Sequence, residues 1–517
     1  GSWWVLGDRT QAPSGAGFAL ENRVATARVF SDIYAEARVH RLAGFFRTFR
    51  DALTELAGIR EDGVGILTPG PLNDTYYEHA YVARYLGFSL LEGEDLTVED
   101  GRVLVRTIEG NRPISVLWRR LDSAFADPLE LDPSSRLGTP GLIGAVRGGS
   151  VTMVNALGTG VLETRALMAF LPRIAREIGS TAPLALPNIA TWWCGQASER
   201  AHVLANRSKM MIGPARATGL PYEADDATML GGAVRGPAGD SFDSWLAAEG
   251  ADLVGQESVM LSTTPAMENG QLVARPMSLR VFLARTSRGW QVMPGGFARI
   301  GTSEDAAAIA MQRGGAAADV WVVSDGPVDT SSTLEITSAD FDRPRPGVLP
   351  ARAGENLFWL GRYAERAESI MRLVRAYHIR LAETGDVNAP LTEYLRDYLD
   401  RIGIDVTTPV PTALTDALAA ALTSAGHVRD RFSTDGWTVL DELAREAARA
   451  RSDLSAGDST ARAMGDLLRQ VTGFSGLVQE NMYRFTGWRL LSIGRALERA
   501  IQSTSALAEL ADPDAPE

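Results

Sequence analysis

The hydrophobic positions over the first 325 or so residues follow two alternating periods. Short apolar runs typical of strands are separated by stretches with helical spacing, and glycine and proline mark the turns between them. Helices are predicted from Ala19 to about Leu56, over YYEHAYVARYLG and over about 164–178. Strands are predicted at WWVLG, GVGILTP, RVLVRTI, ISVLWRRL, VTMVNAL, KMMIG, LVGQESVM, MSLRVFLART and GWQVMPGG. This alternation predicts an α/β fold with a mixed sheet.

The pattern changes after residue 325. The segment SDGPVDTSSTLEITSADFDRPRPGVLP is rich in Ser, Thr, Asp and Pro, which is typical of a linker. From Ala351 onward strand signals disappear, and an all-α helical bundle domain is predicted. Its helices are expected at about 352–384, 390–402, 411–429, 433–454, 458–482 and 486–511.

The helical part contains a weak internal sequence repeat. Glu355-Asn356 precedes GRYAERA at 361–367, and Glu480-Asn481 precedes GRALERA at 494–500. One interpretation is an amphipathic helix with a solvated face of arginine and glutamate. The other is that two such faces meet and bury paired carboxylates and guanidiniums, in which case removal of one partner would cost several kcal/mol.

Composition narrows the class of protein. The 517 residues carry 51 Lys+Arg against 64 Asp+Glu, a net charge of -13, which argues against binding nucleic acid through phosphates. No apolar run approaches the roughly 18 residues of a membrane helix, so a cytoplasmic protein that does not act in a membrane is expected. The single cysteine, Cys194, excludes an internal disulfide framework. The chain starts without Met and almost at once in a strand-like run, which suggests a fragment.

The opening WWVLGDRTQAPSGAG holds the first candidate chemistry. A carboxylate at a strand end beside a glycine turn suits Mg²⁺-nucleotide binding, so Asp8, Thr10 and Gln11 are candidate metal-site residues. An ordinary turn explains the same residues. Glu21, Asn22 and Arg23 then fall together at a helix start, where capping accounts for one polar group of the three, so these residues are candidate substrate contacts.

Several long segments resemble known families. WWVLGDRTQAPSGAGFALENR, ILTPGPLNDTYYEHAYVARYLGF, VLWRRLDSAFADPLEL, VNALGTGVLE, TWWCG, GQESVMLST and LRVFLART…VMPGGFARI resemble the circularly permuted ATP-grasp proteins. AGENLFWLGRYAERAE and ENMYRFTGWRLLSIGRALERA resemble the alpha-E domain that is fused to them or encoded beside them. The matches cover most of the chain.

The resemblance implies a division of the chain. Residues 1–335 would form a circularly permuted ATP-grasp domain, with a pre-ATP-grasp-like region at 57–180 and a nucleotide-binding region at 185–325. A linker at 336–350 would lead to an alpha-E domain at 351–517, and the similar domains suggest that this one is cut short.

The resemblance also implies roles for residues. Asp8 would bind Mg²⁺, with Thr10 or Gln11 beside it, and a further metal-binding Asp of similar proteins would lie upstream of the first residue. Gln256 and Glu257 would recognise adenine and ribose. Arg280 and, more faintly, Arg299 would be catalytic arginines facing the phosphates, since phosphoryl transfer needs fixed positive charge.

One departure from the family pattern concerns a lysine. Similar proteins hold phosphate with a lysine before the glycine-rich flap, where this chain has Gly213. Lys209, the single lysine of the sequence, lies four residues back, about 13 Å along an extended strand. Arg216 could replace it as a cofactor-binding group, although a guanidinium is not an ammonium. The flap also carries acidic Asp225 and Asp226.

Asn73, Arg119 and Asp122 fall in the pre-ATP-grasp-like region. The resemblance makes them candidate contacts to the acceptor substrate, while helix capping and ion pairing explain them nearly as well.

Three functional hypotheses follow. The first is an ATP- and Mg²⁺-dependent carboxylate–amine ligase that forms an amide or peptide bond, with transglutaminase-like or peptidase proteins as partners of similar proteins. The second is a degenerate ATP-grasp scaffold that binds a peptide or protein without catalysis. In the first hypothesis the alpha-E domain supplies the partner or substrate surface, with Glu355, Glu365, Glu480 and Glu498 as its notable carboxylates. The third is a separate carboxylate metal site in the helical domain, supported only by the repeated Glu-Asn and Gly-Arg-x-x-Glu-Arg pattern.

Overall fold

A computed structural model describes residues 3–58, 63–179, 184–218, 229–230, 242–301, 315–328 and 349–511. The chain divides into two compact units, one formed by residues 1–67 and 115–341 and the other by residues 68–114 and 342–517. Most of the predicted linker and most of the flap, with Asp225 and Asp226, lie outside the described residues.

The first unit is mixed α/β. Its helices are α1 (Ala16–Val29), α2 (Ser31–Glu36), α3 (Ala43–Ala57), α5 (Leu142–Arg147), α6 (Arg165–Met168), α7 (Leu171–Glu177), α8 (Ala197–Asn206) and α9 (Phe242–Glu249). Its strands are β1 (Gly63–Leu67), β6 (Thr152–Val154), β7 (Thr191–Trp193), β8 (Met210–Pro214), β9 (Met229–Leu230), β10 (Leu253–Glu257), β11 (Thr263–Glu268), β12 (Gln271–Arg280), β13 (Leu283–Thr286), β14 (Gly289–Val292), β15 (Gly295–Ile300) and β16 (Ala316–Trp321).

Two four-stranded antiparallel sheets dominate this unit. One has the order β7-β10-β8-β9 and the other the order β11-β12-β15-β16, while β13 and β14 form a separate hairpin. Helix α8 lies close to β10 because Gly255 has no side chain: a Cβ there would be 2.7 Å from Cγ2 of Val203. The apolar core beside this sheet includes Cys194, Ile212 and Leu246.

The long strand β5 (Gly110–Arg119) passes from one unit to the other along the chain. Its first part pairs antiparallel with β4 (Arg102–Thr107), and its second part pairs parallel with β6. The second unit also contains α4 (Tyr76–Leu86), β2 (Ser89–Leu91) and β3 (Leu96–Glu99).

Six helices complete the second unit: α10 (Ala351–Thr384), α11 (Pro390–Arg401), α12 (Thr412–Gly426), α13 (Thr434–Asp453), α14 (Asp458–Asn481) and α15 (Thr486–Leu510). Helix α10 is central, because it packs against α12, α14 and α15. Its apolar side, with Leu357, Leu360, Ala364 and Met371, is almost completely buried. The six predicted helices are confirmed, with ends within a few residues of the expected positions.

Within this unit, Arg352 on the first turn of α10 joins the helices to residues 68–114. Its guanidinium lies 2.8 Å from Oδ2 of Asp95 and 3.0 Å from Oε1 of Glu92. Arg429 stacks over the ring of Tyr77 at 5.2 Å. Residues 68–114 are therefore packed with the helices as one unit, although they lie inside the sequence range predicted for the ATP-grasp domain.

The predicted α/β and all-α organisation is confirmed, but WWVLG is not a regular strand. Val5 alone forms an isolated parallel bridge, to Asn188, and Trp3 and Trp4 are exposed. The short strands β2, β3, β7, β9, β11 and β16 were not predicted. In the described part of the chain, no helix is both long and apolar enough to cross a membrane.

Candidate functional site

The segment that follows Asp8 is fixed by the buried carboxylate of Glu163. Its Oε1 accepts hydrogen bonds from the backbone N–H groups of Thr10, at 2.6 Å, and Gln11, at 2.5 Å. The Thr10 hydroxyl donates to the carbonyl of Thr159, and the Thr159 hydroxyl donates back to the carbonyl of Thr10. The turn is thus held in one conformation from several directions.

The Gln11 side chain is also engaged. Its amide nitrogen donates to Oδ2 of Asp122 over 3.1 Å, and its amide oxygen accepts from the backbone and hydroxyl of Ser123. The structure therefore brings two of the predicted residues, Gln11 and Asp122, into direct contact.

Asp8 lies beside this network. Although the residue is largely exposed, partial burial of its carboxyl raises its pKa, and the charge of Glu163 raises it further. Asp8 offers the hard oxygen ligands that Mg²⁺ prefers. It fits a Mg²⁺ ion better than Thr10 and Gln11, whose polar atoms are already bonded, and better than Glu163, whose Oε1 accepts from two backbone N–H groups and whose Oε2 lies 3.8 Å from Nη1 of Arg9. Among the described residues, no group of three or more His, Cys, Asp or Glu side chains is arranged to hold a metal.

Arg280 stands next to the same turn. Its Nη1 donates to the carbonyl of Ser14 at 2.9 Å and to its hydroxyl at 3.0 Å, and its guanidinium lies 5.8 Å from the Phe297 ring centroid. Gly15 makes this approach possible: its φ is +111°, and a Cβ would be 2.2 Å from Cε1 of Phe297. Arg299 lies on β15, opposite Ser278 of β12 and Ala317 of β16.

Glu257 and Lys209 meet at one end of the β8–β10 pair. Glu257, exposed at the end of β10, is opposite Met210, and the backbone N–H of Ser258 donates to the carbonyl of Lys209 over 2.9 Å. Gln256, by contrast, is 1% exposed, and its side-chain amide donates to the Thr191 hydroxyl. Of the two predicted nucleoside contacts, Glu257 has the accessible side chain.

Arg216 lies beyond the other end of β8. Gly213 pairs with Val254 in the sheet, and Arg216 forms an exposed ion pair with Asp252 over 3.3 Å. The structure thus separates Arg216 from Lys209 by the length of the strand.

Several predicted substrate contacts are bonded within the fold. Arg23 is buried, with its Nε 2.7 Å from Oδ2 of Asp319. Arg119 has no exposed surface and donates to the carbonyls of Asn155, Leu121 and Ala156.

The remaining predicted substrate contacts differ in their surroundings. Asn73 caps the turn before α4 by accepting from the backbone and hydroxyl of Thr75, and it belongs to the other unit. Glu21 is half-buried on α1. The neighbouring Nδ2 of Asn22 is buried without a hydrogen-bond partner among the described residues.

In the helical unit, the repeated motifs meet. Arg362 and Arg366 on α10 bind Glu498 on α15, with Nε to carboxylate distances of 2.7 Å each. Arg495 and Arg499 on α15 bind Glu365 on α10 at 3.0 and 2.6 Å. Of the two interpretations of the repeat, the structure supports faces that meet and pair, with the carboxylates buried and the arginines partly exposed.

The other two predicted carboxylates of this unit behave differently. Glu355 and Glu480 are exposed. Glu480 lies at the end of α14 and not on α15, so the Glu-Asn part of the sequence repeat is not a structural repeat. The carboxylates of Glu365 and Glu498 are bound by arginines, which leaves no metal-ligand set among these four residues.

Sequence reasoning missed Glu163 as a site residue. It follows the turn in VNALGTGVLE, and nothing in its local spacing distinguishes it from a surface glutamate. Its role depends on contacts with a segment about 150 residues away.

Comparisons with known proteins identify both parts of the chain. The model of the family described as circularly permuted ATP-grasp type 2 matches residues 1–301, and that of a predicted alpha-helical domain with a conserved ER motif, named Alpha-E, matches residues 349–514. The chain belongs to the circularly permuted ATP-grasp type 2 family and carries an Alpha-E domain. Two Glu-Arg dipeptides, Glu365-Arg366 and Glu498-Arg499, lie within these matched residues.

Three relatives illustrate the sequence identity and the coverage of these matches. An uncharacterized protein of Mycobacterium tuberculosis (strain H37Rv) is 31% identical over 98% of this chain and 61% of its own length. A second uncharacterized protein of the same strain is 33% identical over 68% of this chain and 62% of its own length. An uncharacterized protein of Synechocystis is 31% identical, covering 62% of this chain and 66% of its own length. The chain spans about 61% of the first of these relatives.

Proposed function

We propose that this protein is an ATP-dependent carboxylate–amine ligase that forms an amide bond of peptide type. Membership in an ATP-grasp family supports the general class, an ATP-dependent ligase. The observation that carries the proposal is the arrangement around the first turn, where Glu163 fixes the backbone of Thr10 and Gln11 just after Asp8 and Arg280 is bonded to Ser14.

In this reaction a carboxylate oxygen of one substrate attacks the γ-phosphorus of ATP, and ADP leaves. An amine of the second substrate then attacks the acyl carbon of the acyl-phosphate, and inorganic phosphate leaves with the formation of a C–N bond. ATP supplies the activating phosphoryl group. The first step needs fixed positive charge near the transferred oxygens.

The residues of the chain divide these tasks. Asp8 would hold Mg²⁺ through its carboxylate oxygens, on a turn that Glu163 fixes through the backbone of Thr10 and Gln11. Arg280 would bind phosphate oxygens, since its bonds to Ser14 orient the guanidinium beside the turn. Glu257 has the exposed carboxylate that suits ribose hydroxyls, with Lys209 at the same end of the sheet.

A trapping experiment tests the chemistry with hydroxylamine in place of the natural amine. The protein is incubated with Mg²⁺-ATP, hydroxylamine and a panel of amino acids and short peptides, and hydroxamate and ADP are measured together. Equal amounts of the two products, with at least a tenfold loss in Arg280→Met, are expected. ADP formation that no carboxylate stimulates, without hydroxamate, would contradict the ligase assignment.

Two observations favour a second candidate, a scaffold that binds a peptide or protein partner without phosphoryl transfer. Gly213 stands where similar proteins have a phosphate-binding lysine, and Arg216, its possible replacement, is paired with Asp252. No three-carboxylate metal group is present among the described residues. Binding of peptides with no nucleotide binding would favour this candidate.

A further inference from the structure

Residues 159–166 hold the turn at residues 8–11, which we call the Asp8 turn. Glu163 accepts hydrogen bonds from two backbone N–H groups of this turn, at 2.6 and 2.5 Å. The Glu163 side chain is 6% exposed, so the contact is largely closed to water. The position of the Asp8 turn therefore depends on a segment about 150 residues away in the sequence.

The same segment also holds residues 215–218, which follow β8 and which we call the Arg216 segment. The backbone N–H groups of Arg165 and Ala166 donate to two of its carbonyl oxygens, over 3.1 and 2.9 Å. Residues 159–166 are therefore bonded to two parts of the candidate site. One is the turn with the candidate metal ligand, and the other is the segment with a candidate phosphate-binding arginine.

Arg9 joins the Asp8 turn to the Arg216 segment directly. Its Nη1 donates to the carbonyl of Thr218 and lies 3.8 Å from Oε2 of Glu163. A guanidinium can contact a carbonyl and a carboxylate together because its donors form a rigid planar fork. The two oxygens of Glu163 thus have different partners, since Oε1 binds the backbone of the turn and Oε2 faces Arg9.

The guanidinium of Arg216 is accessible to a nucleotide. Its ion pair with Asp252, 3.3 Å long, joins side chains that are 87% and 68% exposed, and exposed pairs of this kind contribute little to stability. A phosphate group, which carries more charge than one carboxylate, would displace Asp252. The Arg216 segment can therefore supply positive charge that Gly213 does not.

We propose that Arg9 is a positioning residue that holds the Asp8 turn and the Arg216 segment at a fixed separation. This inference rests on the proposed function, in which Mg²⁺ at Asp8 and cationic side chains act on the same phosphate groups. Such charges stabilise a transferring phosphoryl group only when their carriers are already in place, and a displacement of about 1 Å can cost on the order of 10²-fold in rate. Arg9 acts through the backbone of both segments and contacts neither metal nor phosphate.

Hydrogen exchange of backbone amides tests the connection in the absence of nucleotide. The amides to follow are the two bonded to Glu163 and the two that donate to the Arg216 segment. All four should exchange at least fivefold faster in Arg9→Met, and less so in Arg9→Lys, which retains a charged donor. The matched control is Arg147→Met, which breaks an exposed ion pair with Glu130 in the same unit and should leave the four amides unchanged.

Calorimetric titration of ADP, with and without Mg²⁺, separates positioning from direct contact. Positioning predicts that Arg9→Met reduces the gain in affinity due to Mg²⁺ at least fivefold and changes the affinity without Mg²⁺ less than twofold. Arg9→Lys should restore part of that gain. Equal losses under both conditions, with unchanged amide exchange, would show that Arg9 contacts phosphate and would overturn the proposal. So would an increase in exchange that is confined to the Asp8 turn or that Arg147→Met reproduces.

Failure of the proposed function gives a different result. If the unaltered chain binds ADP but forms no hydroxamate, the ligase assignment fails and both measurements on Arg9 still apply. If it binds no ADP, the amide exchange alone decides whether Arg9 joins the two segments. Circular dichroism confirms that each variant is folded, and Arg9→Lys carries the test if Arg9→Met is not.

Discussion

Arg366 on α10 donates from its Nε to Oε1 of Glu498 on α15 over 2.7 Å, and the Glu498 side chain is 1% exposed. Arg362 binds the other oxygen of the same carboxylate. Since the carboxylate is out of contact with water, its charge is stabilised by these two guanidiniums. Because Arg499 binds Glu365 in the same way, the Glu-Arg dipeptides of α10 and α15 pair reciprocally.

Removal of Glu498 is therefore expected to destabilise the helical unit. Glu498→Ala leaves Arg362 and Arg366 without their acceptor and should lower the free energy of unfolding by about 3 kcal/mol. Removing one partner of a buried ion pair costs about 3–5 kcal/mol. The lower end of that range is expected here because Arg366 is partly exposed to water. Urea denaturation monitored by circular dichroism measures it. Glu383→Ala, which breaks an exposed pair with Arg380, should change stability by less than about 1 kcal/mol, and an equal loss in both variants would contradict the account.

Gly361 should tolerate no side chain. In Gly361→Ala the new Cβ would meet the Leu491 carbonyl, so α10 and α15 must separate at their crossing, with a loss of about 1–3 kcal/mol. Gly476 provides the control, because it lies within α14, is exposed and has open space around its Cα. Gly476→Ala should stabilise the protein by about 0.5–1 kcal/mol. Opposite signs in thermal unfolding support the close crossing, and stabilisation by both substitutions would disprove it.

The buried imidazole of His378 is expected to make the stability of the protein depend on pH. It is fully buried, its Nδ1 accepts from the backbone N–H of Gly457, and burial lowers its pKa from 6.5 to about 4. The unfolded chain therefore binds a proton that the folded chain does not. Stability from this group is complete above pH 6.5 and is lost as pH falls through 4, on the order of 2 kcal/mol.

Two measurements check the His378 prediction. An NMR titration should give this ring a pKa below 5, with the resonance assigned by its absence in His378→Asn. Urea unfolding at pH 7 and pH 4.5 should show a smaller difference in His378→Asn than in the unaltered chain. A pKa near 6.5 in the folded protein would refute the burial argument.

The helical unit could be predicted from the sequence more completely than the α/β unit. Long amphipathic helices carry many repeats of one spacing, so the ends of α10 and α15 were predicted within one residue. Short strands depend on partners distant in sequence. The segment with Trp3 and Trp4 has strand composition, yet Val5 pairs with the chain at one position, Asn188. Composition reports a preference for extended backbone, whereas a strand also requires a partner along its length.

The candidate site shows the same limit. The opening turn and Asp8 could be identified from local spacing and resemblance, and Asp122 was proposed as a substrate contact. Glu163 was missed because its importance comes from hydrogen bonds to Thr10 and Gln11. Arg119 was expected to contact substrate, but it is buried among backbone carbonyls, a placement that depends on the packing of β5.

Calorimetric titration of Mg²⁺ and a non-hydrolysable ATP analogue into the protein tests the central claim most directly. Asp8→Asn should weaken Mg²⁺-dependent binding at least tenfold, since it removes a charged metal ligand, and Glu257→Gln should weaken binding with or without Mg²⁺. Asp132→Asn is the control, because Asp132 is an exposed carboxylate bonded to Ser134 within its own turn. Binding that depends on Mg²⁺ and Asp8 but not on Asp132 is the predicted result. No binding of the nucleotide at any Mg²⁺ concentration would contradict the ligase account and leave the scaffold as the better explanation.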